Sequence, residues 1–426
     1  MLDITLLRTQ PDVVKKNLEK RNQSDKIKWV DELLKLDEEW RTTIQAAETL
    51  RHERNTITLE ITKLSKAKKN PADLIKKAKT IPAHIKKHEE TAAALREKID
   101  HYLMRLPNML DPSVPFGKTE KDNTVLRTWG KKQTFPFPLQ SHVELIEKLH
   151  LGDFDAGRLV AGQGFNYLTG GMALLDHALQ RYGVDFLLQR GFTPVVPPMM
   201  LNRETLSGAV DLSAFEDVIY KIDNEDLYLI GTAEHALVSM MRGKTVEGKD
   251  LPLKFCAVTP CFRKEIGGHG VDMKGIFRMH QFNKVEQVVY TTPENALTLL
   301  DEMQAISEAF FQSLTIPYRV LAICSGDIGN KMAKQHDIEA WFPRQDEYRE
   351  VTSCGSCSDY QARRLNIKYT NKGERSFVHI LNNTMVATSR AMVAILENYQ
   401  QKDGSVKIPD ALQPYMHGLK KLSLTK

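Results

Sequence analysis

An apolar stripe with spacings of three and four residues runs through most of the first hundred positions and restricts that part of the chain to long helices. The residues of the stripe are Leu33, Leu36, Trp40, Ile44, Ala47, Leu50, Ile57, Ile61, Leu64, Ile75, Ala78, Ile85, Ala92, Leu95, Ile99, Tyr102 and Leu106. Such spacing over several heptads is typical of a coiled coil. Asn70 and Pro71 interrupt it, so we predict two helices folded back as an antiparallel hairpin. Pro82 should kink the second helix or mark its start.

The predicted turn of this hairpin is strongly basic. Between Lys63 and His88 there are nine lysines and one acid, Asp73. A solvated helical face is the ordinary explanation of such a run, and contact with phosphates is the other. Lysines provide affinity rather than base specificity, so the run alone does not identify a nucleic acid.

Composition changes near residue 110. Glycine is absent from the first 110 residues, whereas Pro107, Pro112, Pro115 and Gly117 occur in quick succession around this point, as is typical between domains. We place a linker at about 107–118 and predict a helical arm over 1–110 and a second domain over 119–426. In the second domain, predicted strands at 253–264, 276–289, 318–324, 348–354 and 376–383 occur with predicted helices at 171–190, 232–242, 293–313 and 386–400. Consecutive strand pairs predict an α+β fold with a mainly antiparallel sheet flanked by helices.

Length, charge and cysteine content argue against a disulfide-rich, a membrane-spanning or a secreted protein. The chain has 426 residues, a net charge of +5 and five cysteines. Few cysteines in an odd number suggest reduced thiols, and no apolar run is long enough to span a membrane. The N-terminus, with Asp3, lacks a charged-then-apolar leader. We therefore expect a cytoplasmic location and no membrane partner.

The stretch 261–286 contains the clearest chemical pattern. Two predicted strands flank a glycine-rich loop, 266–275, expected to be flexible, and the charged residues on each strand are separated by even numbers of positions. Even spacing places side chains on one face of a sheet. That face would hold Arg263, Glu265, Arg278, Phe282 and Glu286. An arginine can bind two phosphate oxygens in a bidentate manner. A phenyl ring can stack on a purine, and a carboxylate can accept a hydrogen bond from an amine.

This stretch resembles motif 2 of class II aminoacyl-tRNA synthetases, in the form Phe-Arg-x-Glu, loop, Arg-x-His-Gln-Phe-x-Lys-x-Glu of the seryl enzymes. Residues 191–198 resemble motif 1, and 231–235 resemble the Thr-x-Glu segment that receives the serine amino group. Residues 350–354 resemble the metal and ATP strand, and 382–390 resemble motif 3. The non-glycine form of motif 3, with 359–364, is similar to the archaeal and eukaryotic branch. The resemblance covers nearly the whole chain in the expected order.

The resemblance implies a serine–tRNA ligase that uses ATP, with Arg263 and Arg390 as catalytic residues. The implied ATP-binding residues are Arg263, Glu265, Arg278, Met279, Phe282, Glu350, Val351, Thr352, Ser353 and Arg390. The implied serine-binding residues are Thr232, Ala233, Glu234, Arg263, Glu286, Asn382 and Thr384. Among them, Thr232 and Glu234 would take the ammonium, and Glu286 and Thr384 the hydroxyl.

The resemblance also implies partners. Mg²⁺ would be held by Glu350 and Ser353, since hard oxygen ligands suit that ion, and no zinc is expected. The hairpin, through Lys68, Lys69, Lys76 and Lys77, would bind the long variable arm of tRNA(Ser). Charging of tRNA(Sec) is left open. A homodimer is expected, because in this family the arm of one subunit serves the active site of the other.

Three segments resemble part of a known binding motif but lack the rest of it. Gly243-Lys244-Thr245 lacks the first glycine of a phosphate-binding loop and should be a surface turn. The segment 331–335 resembles the lysine loop of class I synthetases without its His-x-Gly-His partner, and we expect a helix start. Cys354-x-x-Cys357 has no second ligand pair, so we expect two small buried residues at a strand end.

Two alternatives remain open at this point. A relative that loads amino acids onto carrier proteins would have the same fold but typically lacks the long arm. An RNA-binding or scaffolding protein would use the coiled coil without consuming ATP.

Overall fold

A computed structural model of the chain describes residues 1–211, 216–265 and 275–424. The chain divides into two compact units, Met1–Pro107 and Asn108–Lys426. The residues 108–118, expected to be a linker, belong to the second unit. There the Asn108 amide donates to the carbonyl oxygens of Lys331, at 3.0 Å, and Cys357, at 2.9 Å.

The first unit is helical, and the predicted antiparallel hairpin is confirmed. Its helices are α1 (Ile4–Thr9), α2 (Pro11–Lys20), α3 (Ile27–Lys66) and α4 (Ala72–Arg105). Helices α3 and α4 form the hairpin, and their facing apolar residues are buried, among them Ile57, Ile81 and Ile85. Ile44 and Ile75 of the predicted stripe are instead exposed. Pro82 lies well inside α4, so the expectation that it marks the helix start is wrong.

The turn of the hairpin spans the five residues between α3 and α4. Lys68 has φ of +55°, the left-handed conformation that commonly ends a helix. The Lys68 and Lys69 amides donate to the carbonyl oxygens of Ser65 and Leu64, which satisfies the last turn of α3. The Asn70 side chain accepts from the Ala72 amide at 3.0 Å and so begins α4.

The second unit contains eight further helices. They are α5 (His142–Lys148), α6 (Phe154–Ala161), α7 (Gly170–Leu188), α8 (Arg203–Ala209), α9 (Ala233–Ser239), α10 (Ala296–Ser313), α11 (Tyr360–Leu365) and α12 (Thr388–Tyr399). This count refers to α-helices within the three described ranges. None of the helices there is both long and apolar enough to cross a membrane.

One eight-stranded sheet organises the second unit. Its strands are β1 (Thr124–Trp129), β4 (Thr193–Pro194), β8 (Leu253–Phe262), β9 (Gln281–Thr291), β10 (Tyr318–Ala322), β11 (Lys334–Phe342), β12 (Glu347–Ser356) and β15 (His379–Ala387). Their order is β1-β10-β11-β12-β15-β9-β8-β4, and every pair is antiparallel except β4 with β8. The predicted mainly antiparallel sheet is therefore confirmed.

Short strands complete the unit. They are β2 (Gly152–Asp153), β3 (Tyr167–Leu168), β5 (Met200–Leu201), β6 (Tyr228–Leu229), β7 (Thr245–Glu247), β13 (Lys368–Asn371), β14 (Glu374–Phe377), β16 (Val406–Lys407) and β17 (Lys421–Leu422). Helices α7, α10 and α12 pack apolar side chains against one face of the large sheet, and their buried residues include Leu179, Phe310 and Ile395. The opposite face of the central strands carries a second apolar cluster, which includes Leu206, Leu237, Val288 and Ile380, and beside it the polar residues described below.

Of the three segments that resemble part of a known motif (243–245, 331–335 and 354–357), the first and the last have the structure that we expected. Residues 241–244 form a turn before β7, and Cys354 and Cys357 are fully buried at the end of β12. The segment 331–335 is not a helix start: Lys331 lies in a turn and β11 begins at Lys334. The prediction was wrong because β11, which pairs with both β10 and β12, was not recognised as a strand.

Candidate active site

A polar cavity lies on the central strands β9, β12 and β15 of the sheet. It brings together most of the residues that the sequence singled out. Those lining it are Thr232, Glu234, Arg263, Glu265, Arg278, Met279, Phe282, Glu350, Val351, Ser353, Asn382, Thr384 and Arg390. The register explains the convergence, since Glu286 of β9 pairs with Thr384 of β15, and Asn383 of β15 pairs with Cys354 of β12.

Arg263 lies just beyond the end of β8 rather than within a strand. Its Nε donates to the Gly231 carbonyl oxygen at 3.0 Å, and its guanidinium lies 5.6 Å from the centre of the Phe282 ring. The carbonyl anchors one edge of the guanidinium, so the opposite edge, with its Nη groups, is suited to anionic oxygens. Phe282, in β9, packs beside the core and presents its ring to the cavity.

Glu265 and Arg278, on either side of the segment 266–274 in the sequence, form an ion pair. Arg278 Nη1 lies 3.3 Å from Glu265 Oε2. Glu265 has φ of +45°, and β9 begins only at Gln281, so neither residue is in a strand. The even-spacing argument therefore brought the right residues together for a partly wrong reason. The loop residues 266–274 lie outside the described residues.

Arg390 and Glu350 form a second ion pair at the cavity wall. Arg390 is the third residue of α12, and its Nη1 lies 3.0 Å from Glu350 Oε1 and 2.9 Å from the Glu350 carbonyl oxygen. Next to them, Gln335 of β11 donates to Ser353 Oγ at 3.1 Å and to Asp337 Oδ1 at 3.1 Å. Burial, followed by the charge of Glu350, raises the pKa of Asp337 to about 8.

Glu234, at the start of α9, is a buried carboxylate with three donors. Lys331 Nζ and Gln361 Nε2, the latter at 3.0 Å, bond to Oε1, and Asn382 Nδ2 lies 3.2 Å from Oε2. Burial opposes ionisation, but the charges of Lys331 and His235 and the hydrogen bonds lower the pKa of Glu234 to about 2. Burial also lowers the pKa of His235 to about 3, so this imidazole is neutral near pH 7.

Glu286 lies one layer below the cavity surface. It is fully buried, and its Oε1 accepts from Thr232 Oγ1 at 3.0 Å, from Thr384 Oγ1 at 3.1 Å and from Lys284 Nζ. The two threonine hydroxyls are thereby oriented at the cavity wall. Oε2 of Glu286 and Oδ1 of Asn382 are buried without a hydrogen-bond partner among the described residues, and a buried acceptor of this kind costs free energy until a donor reaches it.

Some predicted residues lie outside the cavity lining, and several lining residues were missed. Ala233, Glu286 and Thr352 are buried, and none of them belongs to the lining that the structure describes. The missed lining residues are Phe277, Lys284, Met332, Ala387 and Ser389. The spacing of two in β9 that linked Phe282 with Glu286 also includes Lys284, so that residue could have been found. Lys331 carried no such signal, because its segment was assigned to the wrong element.

The five cysteines are buried free thiols. Burial raises the pKa of the Cys256 thiol to about 11 and, against the nearby Lys331 charge, that of Cys357 to about 12. Within the ranges that the structure covers, no group of three or more His, Cys, Asp or Glu residues is arranged to hold a metal ion.

Comparison with known proteins gives matches over nearly the whole chain. Residues 1–110 match the family model of the seryl-tRNA synthetase N-terminal domain, and residues 217–399 match the tRNA synthetase class II core domain (G, H, P, S and T). The serine–tRNA ligase of Methanocella arvoryzae is 49% identical over 425 residues, covering 99% of this chain and 100% of that protein. The chain belongs to the seryl-tRNA synthetase family. The serine–tRNA ligase of Pyrococcus horikoshii is 47% identical, covering 97% of this chain and 96% of that relative.

Solved seryl-tRNA synthetases have the same fold. The crystal structure of the Pyrococcus horikoshii seryl-tRNA synthetase complexed with ATP has a TM-score of 0.94 and 46% identity, covering 100% of both chains. That of the cytoplasmic serine–tRNA ligase from Naegleria fowleri in complex with AMP has a TM-score of 0.89 and 35% identity, covering 100% of this chain and 99% of that chain. The predicted enzyme class, an ATP-using serine–tRNA ligase with archaeal relatives, is confirmed.

Proposed function

We propose that the cavity is where this seryl-tRNA synthetase joins L-serine to ATP, and that the helical hairpin binds the tRNA that receives the serine. The observation that carries the proposal is the pairing of two kinds of wall in one cavity. Three arginines and Phe282 form one wall, and Thr232, Glu234 and Asn382 form the other. The first suits a nucleoside triphosphate and the second an ammonium group.

ATP would occupy the arginine wall. Arg263 would hold the α-phosphate together with the serine carboxylate, and Arg278 and Arg390 the γ-phosphate. Phe282 would stack on adenine, and Glu265 would accept from its exocyclic amine, with the backbone at Met279 beside the base. Val351 and Thr352 would supply the strand backbone along the phosphates. The ion pairs that now hold Arg278 and Arg390 support this proposal, because each guanidinium is already held at the cavity wall.

Serine would occupy the opposite wall. Its ammonium would donate to Glu234 Oε2, Asn382 Oδ1 and Thr232 Oγ1, near the first residue of α9, Ala233. Its hydroxyl would meet Thr384 and the buried Oε2 of Glu286. The two partnerless buried acceptors support this placement, because serine brings the donors that they lack. Alanine has the ammonium but no hydroxyl, so it would leave Oε2 of Glu286 unpaired and be rejected by roughly 10⁴-fold.

Magnesium fits the wall between these regions. Glu350 and Ser353 both line the cavity and carry side-chain oxygens, the ligands that suit Mg²⁺. The buried Asp337 lies opposite Ser353 in the sheet, next to this wall. We propose that Glu350 and Ser353 hold the ion. When bound, it would neutralise charge on the phosphates.

The chemistry then requires mainly alignment. A serine carboxylate oxygen attacks the α-phosphorus of ATP, the bond to the β-phosphate oxygen breaks, and diphosphate leaves. Arg263 would touch both reacting groups and hold them in line, which is the main contribution that a protein makes to phosphoryl and nucleotidyl transfer. The 3′-terminal hydroxyl of the tRNA then attacks the seryl carbonyl and releases AMP.

For the tRNA we propose a shape-based contact with the hairpin turn. Lys68 and Lys69 are exposed in the turn, and Lys76 and Lys77 are exposed at the start of α4, although Lys77 Nζ also lies 2.6 Å from Glu53. Lysine clusters of this kind contact phosphates, and double-stranded RNA is read mainly by shape. We propose tRNA(Ser) as the substrate. Whether tRNA(Sec) is also charged is a question for the assay below.

We propose a homodimer in the cytoplasm. The motif 1 segment, 191–198, and the two residues after it support the dimer, since Val196 is 94% exposed and Met199 and Met200 are also exposed. Exposed apolar side chains grouped in this way often mark interfaces. Sedimentation equilibrium should give twice the chain mass of 48.5 kDa.

Charging assays test the proposal directly. The protein should transfer labelled serine to a tRNA(Ser) transcript in the presence of ATP and Mg²⁺, and much less to a transcript with its long variable arm deleted. Binding of the transcript without ATP-dependent charging would instead favour an RNA-binding protein. Parallel reactions with a tRNA(Sec) transcript decide the second substrate.

A further inference from the structure

Lys331 lies behind the serine wall of the cavity and was not expected in any site. It is in the turn before β11, and its ammonium contacts Oε1 of Glu234. Its side chain is 24% exposed, whereas that of Glu234 is 6% exposed. The carboxylate is thus the buried partner and Lys331 is the cation that compensates its charge.

The oxygen atoms of Glu234 have different partners. Oε1 accepts from Lys331 and Gln361, and neither residue belongs to the cavity lining that the structure describes. Oε2 accepts from Asn382, which does line the cavity. One oxygen therefore anchors the carboxylate from behind, and the other is directed toward the cavity.

We infer that Lys331 is a positioning residue for serine: it fixes Glu234 through Oε1 so that Oε2 is presented to the substrate ammonium. The inference rests on the proposed serine site and adds a residue to it. Lys331 does not touch serine in this arrangement, and it remains on Glu234 when serine binds.

The charge of Lys331 matters as much as its position. A buried carboxylate without a compensating cation tends to take up a proton and then attracts an ammonium weakly. Lys331 is the strongest favourable influence on Glu234, ahead of the neighbouring His235, and it acts against the effect of burial. Without Lys331, the pKa of Glu234 should rise, and protonated Glu234 should become appreciable as pH falls.

Other charged or titratable groups lie close enough to Glu234 and Lys331 to interact with them electrostatically. Around Glu234 and Lys331 these groups are His235, Arg263, Lys284, Glu286 and Cys357. The cations among them are fixed in other contacts: Arg263 on the Gly231 carbonyl and Lys284 on Glu286. Within the described ranges neither of them bonds to Glu234, so the neutral variants of Lys331 isolate one cation.

The test is Lys331→Met, with Lys334→Met as a matched control three residues further along the chain. Diphosphate–ATP exchange is measured while serine and ATP are varied separately, at several pH values between 6 and 8. We expect the KM for serine to rise roughly 10- to 100-fold, as for loss of a hydrogen bond to a charged group. The KM for ATP and the rate at saturating serine should stay within about twofold of wild type.

The pH profile separates positioning from packing. The ratio of the mutant to the wild-type serine KM should be largest at pH 6 and fall as pH rises, because protonated Glu234 regains its charge. Dividing by the wild-type value removes the titration of serine itself. Lys331→Arg, which keeps the charge, should restore most of the serine affinity and a flat ratio.

Several results would overturn the inference. A lower serine KM in Lys331→Met would mean that Lys331 competes with the substrate ammonium. An unchanged serine KM would mean that Lys331 has no positioning role. Equal increases in the KM for serine and the KM for ATP, in a folded variant, would mean the same. If Lys331→Met does not fold, Lys331→Gln and Lys331→Arg are compared instead, and equal serine KM values for these two contradict the inference. Absence of serine-dependent exchange in the wild type would instead refute the proposed function.

Discussion

The turn of the hairpin and the catalytic cavity both concentrate charge, but they do so in opposite ways. At the turn and in the first residues of α4, Lys68, Lys69 and Lys76 are exposed side chains whose positive charges add up. In the cavity, positive and negative groups are paired at fixed positions, as Glu234 is with Lys331 and Glu350 with Arg390. Exposed charges are screened and largely interchangeable, whereas buried pairs depend on each partner. The first arrangement suits a long phosphate surface, and the second suits one small substrate.

The largest expected effect is at the arginine wall. Arg263→Ala removes the group placed on both the α-phosphate and the serine carboxylate, so diphosphate–ATP exchange should fall by about 10³-fold or more. The matched control is Arg181→Ala on α7, where the arginine is exposed and paired with Asp185 at 3.0 Å. That control should retain near wild-type exchange. Retention of exchange in Arg263→Ala would contradict the assignment of the cavity.

The next effect concerns the serine wall. Glu234→Gln keeps the shape but removes the negative charge opposite the ammonium, so the KM for serine should rise about 100-fold. The KM for ATP should change little, because we propose that the nucleotide binds to the other wall. Steady-state exchange with each substrate varied in turn measures both values. A larger change in the KM for ATP than in the KM for serine would contradict the assignment of serine to this wall and of ATP to the other.

A smaller effect is expected at the hairpin. Replacing Lys68, Lys69, Lys76 and Lys77 together by Ala should weaken tRNA binding and lower the slope of log affinity against log salt by about three, since each phosphate contact contributes roughly 0.7 to 0.9. Exchange without tRNA should be unchanged. The control removes four other exposed lysines, Lys402, Lys407, Lys420 and Lys421. If both quadruple variants bind tRNA equally, the turn has no special role.

The smallest effect should be that of pH on serine recognition. The pKa of Glu234 is lowered to about 2, so this carboxylate stays charged throughout pH 6 to 8. A lowered pKa means that its favourable interactions are complete above its ordinary value near 4.5 and are lost only as pH falls toward 2. The wild-type serine KM should therefore show no titration of this group between pH 6 and 8. A KM that increases several-fold as pH falls from 8 to 6 would contradict this.

Much of the fold followed from local patterns. The stripe from Leu33 to Leu106 predicted the hairpin because a coiled coil repeats one contact many times, and Asn70-Pro71 located its turn. The pattern failed where it was weak. The strand β11 was missed, since its nine residues mix His336, Asp337 and Glu339 with apolar positions, and their burial depends on neighbouring strands.

The site was predicted unevenly for a physical reason. Residues in recognisable motifs, such as Arg263, Phe282 and Arg390, converge on the cavity. Lys331 could not be found, because it reaches Glu234 from a turn almost one hundred positions away. The layer below the surface was also unclear: Glu286 is held beneath Thr232 and Thr384, and only the register of the strands places it there.

The most direct test of the central claim is serine-dependent exchange of labelled diphosphate into ATP, without tRNA, using alanine and threonine as controls. If the cavity activates serine, exchange should occur with serine, be far smaller with alanine, which lacks the hydroxyl, and be small with threonine, whose extra methyl group must be excluded by shape. Exchange with serine alone would establish both the adenylate chemistry and the hydroxyl-reading wall. Absence of exchange with every amino acid, in a folded protein, would contradict the assignment of the cavity as a serine-activating site.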